Sequence, residues 1–261
     1  MSAAVMNWIN KQKERRTTTT SQGNNNTTSI GVTMTAYVNK VGQDGYVTIL
    51  IDGRGEKKHG LYMYTKLTLL GINNNGDRVR LRVEDGEWKG LMGSMMIKGG
   101  ADTYLDLTPP DNIIPTIKVK YGKFVSGWYS KPRDEKIDQQ FATLTVGNIS
   151  VQVTLNSDWT PGSGRTPLPV GTYEIATPDG AHPPGQTNFY KVGGVPVKNF
   201  NIWFPILPKS SERFIHIGHL SHGCITITDY DKYPQIHDYL IKHRGIGKNG
   251  DTIVATLQVD E

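Results

Sequence analysis

The sequence predicts a mainly β protein, in which an N-terminal β-rich barrel- or sandwich-like module precedes a second β-rich domain with one short helix. Short runs of β-branched and aromatic residues recur along the chain, as in the strands of small β domains. The 29 glycines and 14 prolines among 261 residues supply frequent turns between these runs. Within the second domain, residues 234–243 place Ile236, Leu240 and Ile241 at helical spacing.

The first 29 residues are predicted to be a flexible tail and linker. The first sixteen place Val5, Met6 and Ile9 on one side of a helix that is too short to be stable alone. Residues 17–29 contain no charged and no apolar side chain, a composition typical of flexible linkers. The tail is either a partner-binding or delivery segment or a part without function, and the sequence leaves both open.

Residues 30–130 are predicted to form the N-terminal module. The predicted strands cover residues 32–38, 46–51, 67–72, 79–83 and 90–97. Residues 79–83 alternate apolar with basic side chains and are expected to pair with residues 90–97 across the turn at 84–87. The sequence of this module contains no arrangement of catalytic side chains, so it favours a binding or spacer role.

Residues 131–261 are predicted to form the second domain, with the boundary lying somewhere in the polar, Pro-containing region 110–140. A Gly-Asn turn between residues 141–146 and 149–155 predicts a hairpin. Residues 176–200 are rich in Pro and Gly and are predicted to form a long loop, which is a candidate lid over a site.

Composition excludes several classes of protein. The formal net charge is +5, and the first 139 residues carry 20 basic and 14 acidic side chains, scattered without a nucleic-acid-binding motif. No stretch approaches about 18 consecutive apolar residues, so no membrane-spanning helix is expected. The first nine residues are too short and too polar for the apolar core of a signal peptide. The single cysteine, Cys224, excludes an internal disulfide and a multi-cysteine zinc module, and no cofactor is expected.

The densest chemical signal lies in residues 213–228. Three of the seven histidines and the only cysteine, Cys224, fall within nine residues there. A thiol is a good nucleophile only as a thiolate, so it needs a base or a cation beside it. The β-branched flanks predict two strands joined by a tight connection at residues 218–223, which brings His216 toward Cys224. Backbone N–H groups near Gly223 and Cys224 are then available to bind an oxyanion.

Other interpretations of this segment stay open. A lone cysteine is often a small buried hydrophobic residue. His216, His219 and His222 are also candidate metal ligands, but the glycines and β-branched flanks oppose a helix, and on a strand His219 points away from the other two. His219 also competes with His216 as the base. The remaining histidines are expected on the surface; they are His59, His182, His237 and His243.

Two segments resemble the L,D-transpeptidase (YkuD-type) catalytic domain family. Residues 221–225, together with Ile-His-x-Gly at residues 215–218, are similar to its active-site signature, and residues 166–173 are similar to a segment that precedes it. The resemblance covers roughly residues 140–261. It implies a β-rich fold, a cysteine nucleophile and action on peptidoglycan stem peptides.

Carried over residue by residue, the resemblance makes Cys224 the nucleophile and His216 the general base. The residues expected to shape the nucleophile loop are Ser221, His222 and Gly223. Four further residues are expected to contact substrate; they are His219, Arg213, Trp203 and Tyr190.

The sequence departs from the family pattern at two points. His216 and Cys224 are only eight residues apart, closer than is usual, and this spacing resembles that of cell-wall-attacking toxins passed between bacteria. Thr226 stands where the family usually has an arginine two residues after the cysteine, so another cation is expected to bind the substrate carboxylate. The candidates are Arg213, Arg165, Lys191 and Lys198.

The leading hypothesis is therefore a cysteine enzyme that cleaves or exchanges stem peptides through a Cys224 thioester. A stem-peptide amine, a free D-amino acid or water as acceptor gives L,D-transpeptidase, exchange or L,D-carboxypeptidase activity, and the sequence does not choose among them. The second hypothesis is a non-catalytic wall- or glycan-binding module with a decayed cysteine site. The third is a histidine-ligated metalloenzyme.

The expected place of action is the periplasm or cell wall, because stem peptides lie there. Without a visible export signal, the expected route is non-classical, through a contractile (type VI) secretion system, phage lysis or a phage particle. The candidate protein partners are a secretion-apparatus component and an immunity protein. A chain trimmed of its leader would look the same. Neither nucleic acid nor a membrane span is expected.

Overall fold

The computed structural model describes residues 3–20, 33–52, 57–130, 134–157, 166–187 and 190–261. Strands predominate, as the sequence predicts, and the chain divides into two compact units, Met1–Pro109 and Pro110–Glu261. This division lies before a long strand that begins at Thr116, whereas the sequence started the second domain at residue 131. Residues 21–29 of the predicted linker and the candidate cation Arg165 lie outside the described residues.

The first unit is built on a sheet of seven antiparallel strands. They are β1 (Met34–Val38), β2 (Val47–Ile51), β3 (Lys58–Leu61), β4 (Lys66–Ile72), β5 (Arg78–Val83), β6 (Met92–Met96) and β7 (Leu105–Asp106). Their order in the sheet is β3-β2-β6-β5-β4-β1-β7. The predicted hairpin of residues 79–83 and 90–97 is confirmed, since Leu81 pairs with Gly93 in the ladder between β5 and β6.

Helix α1 (Ala3–Thr20) packs on this sheet. Trp8 and Ile9 are buried in the same apolar core as Leu67 of β4. The helix predicted within the first sixteen residues is therefore present, but it packs on the sheet instead of forming part of a flexible tail. A helix of this length is marginal by itself in water, and burial of its apolar side chains against the sheet supplies the missing stability. Between β6 and β7 lie a π-helical turn (Ile97–Ala101) and α2 (Asp102–Tyr104).

The second unit is built on a nine-stranded sheet and a small two-stranded ladder. Its strands are β8 (Thr116–Ser130), β9 (Glu135–Val146), β10 (Ile149–Ser157), β11 (Gly171–Ala176), β12 (Lys191–Val192), β13 (Val195–Pro196), β14 (Phe204–Pro205), β15 (Phe214–Ile217), β16 (His222–Ile227), β17 (Gly245–Ile246) and β18 (Thr252–Asp260). Its helices are α3 (Pro184–Thr187), a 3₁₀ turn (Lys209–Ser211) and α4 (Tyr233–Ile241). The large sheet runs β11-β18-β8-β9-β10-β16-β15-β14, with β17 beside β18, while β12 pairs with β13.

The large sheet curls until its two ends meet. A bridge joins Ile175 of β11 to Ile206, which follows β14. Next to it, the Leu207 N–H donates to the Glu174 carbonyl over 2.9 Å. Both end strands are thereby paired, so the sheet forms a barrel-like closure rather than leaving open edges.

Several predicted elements of this unit are confirmed, whereas the long strand β8 and several two-residue strands were missed. The hairpin of residues 141–146 and 149–155 is present as β9 and β10, and the predicted helix is α4. β8 was missed because the apolar alternation of its first half breaks at Gly122, where the ladder with β9 becomes irregular. The predicted loop of residues 176–200 contains α3 and the β12–β13 ladder.

Candidate active site

The cysteine and histidine of the predicted site lie on two neighbouring parallel strands. In the ladder between β15 and β16, Ile215 pairs with Ile225 and His216 pairs with Thr226. Both flanks of the motif are therefore strands, as predicted. Because the strands are parallel, residues 218–221 run back along the sheet instead of forming a hairpin turn. Alternation along each strand then puts Cys224 on the same face as His216.

Both ring nitrogens of His216 have hydrogen-bond partners. Nδ1 lies 2.7 Å from the Ile217 carbonyl oxygen, which can only accept, so Nδ1 carries the proton. Nε2 then accepts a hydrogen bond from the hydroxyl of Thr226 over 3.1 Å. The pKa of His216 is lowered to about 4, mainly by burial, with a smaller contribution from the nearby His182, while the bond to Ile217 acts in the opposite direction. His216 is consequently a neutral imidazole at pH 7.

The thiol of Cys224 is partly buried, and burial raises its pKa. Two groups act against that shift. The backbone N–H of Phe214 donates to the sulfur, and the guanidinium of Arg213 stabilises the thiolate by its positive charge. The resting pair is therefore a neutral thiol and a neutral imidazole, with Arg213 as the nearby cation.

Arg213 packs directly against the glycine that precedes the cysteine. Gly223 has a φ of 98°, and a Cβ added to it would lie 2.8 Å from the Thr166 carbonyl oxygen and 3.0 Å from Nε of Arg213. The Arg213 guanidinium also donates to the hydroxyl of Thr166 over 3.2 Å. Only glycine fits this backbone conformation and this close approach.

The two segments that resemble the L,D-transpeptidase family thus meet in space. Thr166 begins one of them and Gly223 belongs to the other, while Arg213, two residues before the second segment, contacts both. The first segment is held in place from both sides. Tyr121 donates to the Leu168 carbonyl over 2.7 Å, and the Tyr173 hydroxyl donates to the Pro169 carbonyl over 2.8 Å.

Ser221 lies in a buried polar network under the nucleophile strand. Its hydroxyl is 2.7 Å from the Cys224 carbonyl and 2.9 Å from that of Leu155, so one proton serves two acceptors. The Ser221 N–H donates to Ser157 Oγ, which in turn donates to Oε1 of Gln139. Gln139, Ser157 and Ser221 are nearly or completely inaccessible to solvent. These bonds fix the connection that leads into Cys224, so Ser221 has a structural role in this loop.

Aromatic side chains surround the thiol and the imidazole. The Tyr190 hydroxyl and the His216 ring both lie against Gly218. A Cβ added to Gly218 would be 3.3 Å from the Tyr190 hydroxyl and 3.5 Å from Cε1 of His216. Burial raises the pKa of Tyr190, and Tyr230 and Cys224 raise it further. The Tyr190 and Tyr230 rings meet edge to face with centroids 5.8 Å apart. Tyr190 thus forms a wall of the candidate site beside the thiol and the imidazole.

Trp203 lies flat between two histidine rings. Its ring centroid is 4.2 Å from that of His216 and 3.9 Å from that of His182, with interplanar angles of 25° and 23°. Trp203 is thus a direct neighbour of the predicted base, and the expectation that it belongs to the site fits its position. His182 was expected on the surface, but its side chain is only 15 % exposed.

The other predicted residues fall into different places. His219 is half-buried, and its Nδ1 lies 3.4 Å from the Tyr230 hydroxyl. His222 is exposed at the start of β16. Of the alternative cations, Lys191 is exposed on β12, and Lys198 pairs with Asp238 at 3.8 Å. Among the described cations, Arg213 is thus the one placed beside the nucleophile.

Two further structural points concern the histidines. Among the described residues, no three His, Cys, Asp or Glu side chains gather as potential metal ligands. His237 and His243 are buried, contrary to the expectation that they lie on the surface, because α4 packs its apolar face into the core. Sequence reasoning missed Gln139 and Ser157, whose only sequence signal is their polarity at positions of otherwise buried strands.

Comparison with protein-family models, with curated proteins and with solved structures gives no match for this chain. Within the part of the chain that the structure describes, no helix is both long enough and apolar enough to cross a membrane.

Proposed function

We propose that this protein is a cysteine acyltransferase or hydrolase of the L,D-transpeptidase type that acts on peptidoglycan stem peptides. The observation that carries the proposal is the position of the Cys224 thiol. It shares one sheet face with the His216 imidazole, has the Arg213 guanidinium beside it, and is flanked by the Tyr190 ring. A nucleophile, a proton acceptor and a cation are the groups that cleavage of a carboxylate-bearing peptide requires.

The reaction begins when the sulfur of Cys224 attacks the carbonyl carbon of the amide that follows the third stem residue. The thiol proton passes to Nε2 of His216, and backbone N–H groups of the Gly223–Cys224 segment bind the oxyanion. The C–N bond then breaks, the imidazolium returns its proton to the leaving amine, and a thioester remains. A second amine gives a crosslink or an exchanged residue, and water gives a shortened stem.

Arg213 takes the role of the arginine that is absent at position 226. Its guanidinium is anchored to Thr166 and lies against Gly223, so its planar fork is held beside the nucleophile before substrate arrives. A fixed guanidinium binds a carboxylate with two parallel hydrogen bonds. We assign it to the carboxylate of the leaving D-amino acid.

Catalysis requires one local rearrangement. In the resting structure the Thr226 hydroxyl donates to Nε2 of His216, which is the atom that must accept the thiol proton. Rotation of the Thr226 side chain away from Nε2, as substrate enters, frees this lone pair. The hydroxyl oxygen is then available to accept a hydrogen bond from an N–H group of the substrate or of the imidazolium.

The test is the muropeptide profile of purified sacculi after incubation with the wild-type protein or with Cys224→Ala. Tetrapeptides that are shortened to tripeptides, exchanged at the fourth position or newly crosslinked, with the wild type only, are the expected result. His59→Ala, in the first unit, is a matched control that should behave as wild type. Identical profiles with and without the thiol would overturn the proposal.

A non-catalytic wall-binding module is the second candidate, and two observations favour it. Burial raises the pKa of the Cys224 thiol, and the Thr226 hydroxyl occupies the lone pair of the candidate base. A decayed site predicts binding to sacculi that is equal in wild type and Cys224→Ala, with no change in muropeptides. A sedimentation assay on the same samples therefore separates the two candidates.

We also propose that the protein acts in the periplasm or cell wall, delivered by a contractile secretion system or through a phage, and that an immunity protein neutralises it. The resemblance to short-spaced cell-wall toxins supports this proposal. Expression in the bacterial cytoplasm should be tolerated, whereas the same chain directed to the periplasm should lyse cells through Cys224. Equal toxicity of wild type and Cys224→Ala in the periplasm would contradict it.

A further inference from the structure

Three rings form a continuous stack that ends at the candidate base. His182, Trp203 and His216 lie nearly parallel, with successive centroids 3.9 and 4.2 Å apart. Phe214 closes one side, since its ring meets both His182 and Trp203 edge-on at 5.5 Å. At the outer end, Asp179 Oδ1 lies 3.2 Å from Nε2 of His182. The stack therefore connects a carboxylate near the surface to the buried imidazole.

The residues of the stack come from three separate chain segments. His182 lies between β11 and α3, Trp203 precedes β14, and His216 is on β15. Two bonds hold the outer segment in place. The backbone N–H of His182 donates to Asn201 Oδ1 over 2.9 Å, and the N–H of Gly180 donates to Asp179 Oδ1 over 3.0 Å. The ring of His182 is thus fixed to the segment that carries Trp203.

The Trp203 segment is in turn fixed to the core. The Tyr233 hydroxyl on α4 donates to the Ile202 carbonyl, next to Trp203. Asn199 and His237, both buried, are joined by a hydrogen bond of 2.7 Å. Trp203 therefore cannot follow a movement of His182 without breaking buried contacts, and it presents a rigid flat surface to His216.

We propose that His182 is a positioning residue for the His216 imidazole, acting through Trp203. The bonds of Nδ1 to the Ile217 carbonyl and of Nε2 to the Thr226 hydroxyl fix two points of the ring, but they leave it free to tilt about the line that joins these points. The flat face of Trp203 removes this freedom, and the His182 ring packs on the opposite face of the indole. Nε2 is then kept on the line toward Thr226 and the thiol side of the sheet.

The nearby imidazole also has an electrostatic consequence for His216. If His182 and His216 were both imidazolium ions, two positive charges would lie on opposite faces of one indole, which is unfavourable. His182 accordingly contributes to the lowered pKa of His216, although burial is the larger cause. The stack thus favours the neutral imidazole that a proton acceptor needs.

The test compares His182→Ala with His182→Phe in the full chain. The phenyl ring retains the stack, whereas alanine removes it. Nitrogen-15 NMR of the His216 ring should show one Nδ1–H tautomer in the wild type and in His182→Phe, and a mixed or broadened signal in His182→Ala. The alkylation rate of Cys224 should fall about tenfold in His182→Ala and stay within about twofold in His182→Phe, since about 1 Å of misplacement costs up to a hundredfold in reaction rates. His59→Ala is the control for loss of a histidine–tryptophan contact elsewhere.

Two outcomes would overturn the inference. One is an unchanged His216 ring signal in His182→Ala, and the other is equal damage from His182→Phe and His182→Ala in proteins with the same melting temperature. The consequence for turnover rests on the proposed function, where kcat should fall about tenfold in His182→Ala with KM nearly unchanged. If the wild type leaves muropeptides unchanged, the proposed function fails, while the ring signal still decides the positioning role.

Discussion

The hydroxyl of Thr226 lies 3.1 Å from Nε2 of His216, on the strand directly beside it. This relationship explains how threonine is accommodated at a position where the family that the sequence resembles usually has arginine. Thr226 is completely buried, and its side chain completes the hydrogen bonding of a buried imidazole. A long cation could not be placed there without a large desolvation cost. The cation that lies beside the thiol is instead Arg213, which directly precedes β15.

Thr226→Val removes this hydroxyl while keeping the shape of the side chain. The hydrogen bond to Nε2 stabilises the neutral ring, so its loss should raise the pKa of His216. The unfolding free energy should fall by about 1–3 kcal/mol because a buried acceptor is left unpaired. NMR titration of the ring and urea unfolding measure the two effects. Thr226→Ser, which keeps the hydroxyl, is the matched control, and an unchanged His216 pKa in Thr226→Val would contradict this account.

Mild acid should destabilise the second unit through His216. Its pKa is about 4 when folded and about 6.5 when exposed, so the unfolded chain binds more protons between these values. Stability should therefore be full above pH 6.5 and fall as the pH drops toward 4, by about 3 kcal/mol in total. Urea unfolding followed by pulse labelling of Cys224 reports on this unit. His216→Phe should show a shallower pH dependence, and parallel curves would refute the assignment.

Gly223→Ala should disrupt the nucleophile strand. Gly223 has a φ of 98°, and an added Cβ would contact the Thr166 carbonyl at 2.8 Å. Strain of about 1–3 kcal/mol is expected, together with displacement of Arg213 and slower alkylation of Cys224. Gly194→Ala is the matched control, since Gly194 also has positive φ, 82°, but nothing lies within 4 Å of an added Cβ. Equal effects of both changes on thiol reactivity would show that the contact with Thr166 is unimportant.

Ser157→Ala tests the buried polar network. Its hydroxyl accepts from the Ser221 N–H and donates to Gln139 Oε1, so alanine leaves the buried Ser221 N–H without an acceptor and removes one of the two donors to Gln139, the other being Thr154. A loss of about 2–4 kcal/mol is expected, which corresponds to a fall in melting temperature of roughly 5–15 °C. Ser150→Ala, at an exposed position of the same strand, should change the melting temperature by less than about 2 °C. A mild effect of Ser157→Ala would mean that water replaces the missing hydroxyl.

Ile9→Ala tests the packing of α1. Ile9 is completely buried in the core of the first unit, so the truncation should cost about 2–5 kcal/mol of that unit's stability. Lys13→Ala, on the exposed side of the same helix, should be neutral. Thermal unfolding followed by circular dichroism compares the two variants. If both variants have the melting temperature of the wild type, packing of α1 does not stabilise the first unit, and the helix behaves as a loose tail.

Much of the fold was predictable from local patterns. The hairpin of β9 and β10 follows from two β-branched runs on either side of a Gly-Asn turn, and α4 follows from the spacing of Ile236 and Leu240. β8 and the packing of α1 were not predictable in this way. β8 is irregular where its ladder with β9 bulges. The apolar side of α1 is stabilised only by the sheet on which it packs, and the local sequence does not reveal that sheet.

The sequence by itself determined the chemical groups of the candidate site. One short segment contains Cys224, its neighbouring histidines and Gly223. These residue types alone supply a thiol, candidate bases for it and a glycine that permits close approach of the backbone. The two strands that flank this segment also follow from its β-branched residues, because strand formation depends on local alternation.

Only the tertiary structure decided how these groups are partnered. The parallel pairing of β15 with β16 places Thr226 beside His216. The curled sheet brings Thr166 into contact with Arg213. The long loop places the His182 ring on Trp203. Each of these contacts joins residues from different segments of the sheet or its loops. Such contacts depend on how the whole barrel-like sheet packs. Buried polar groups need hydrogen-bond partners, and the tertiary structure determines which residues are close enough to supply them.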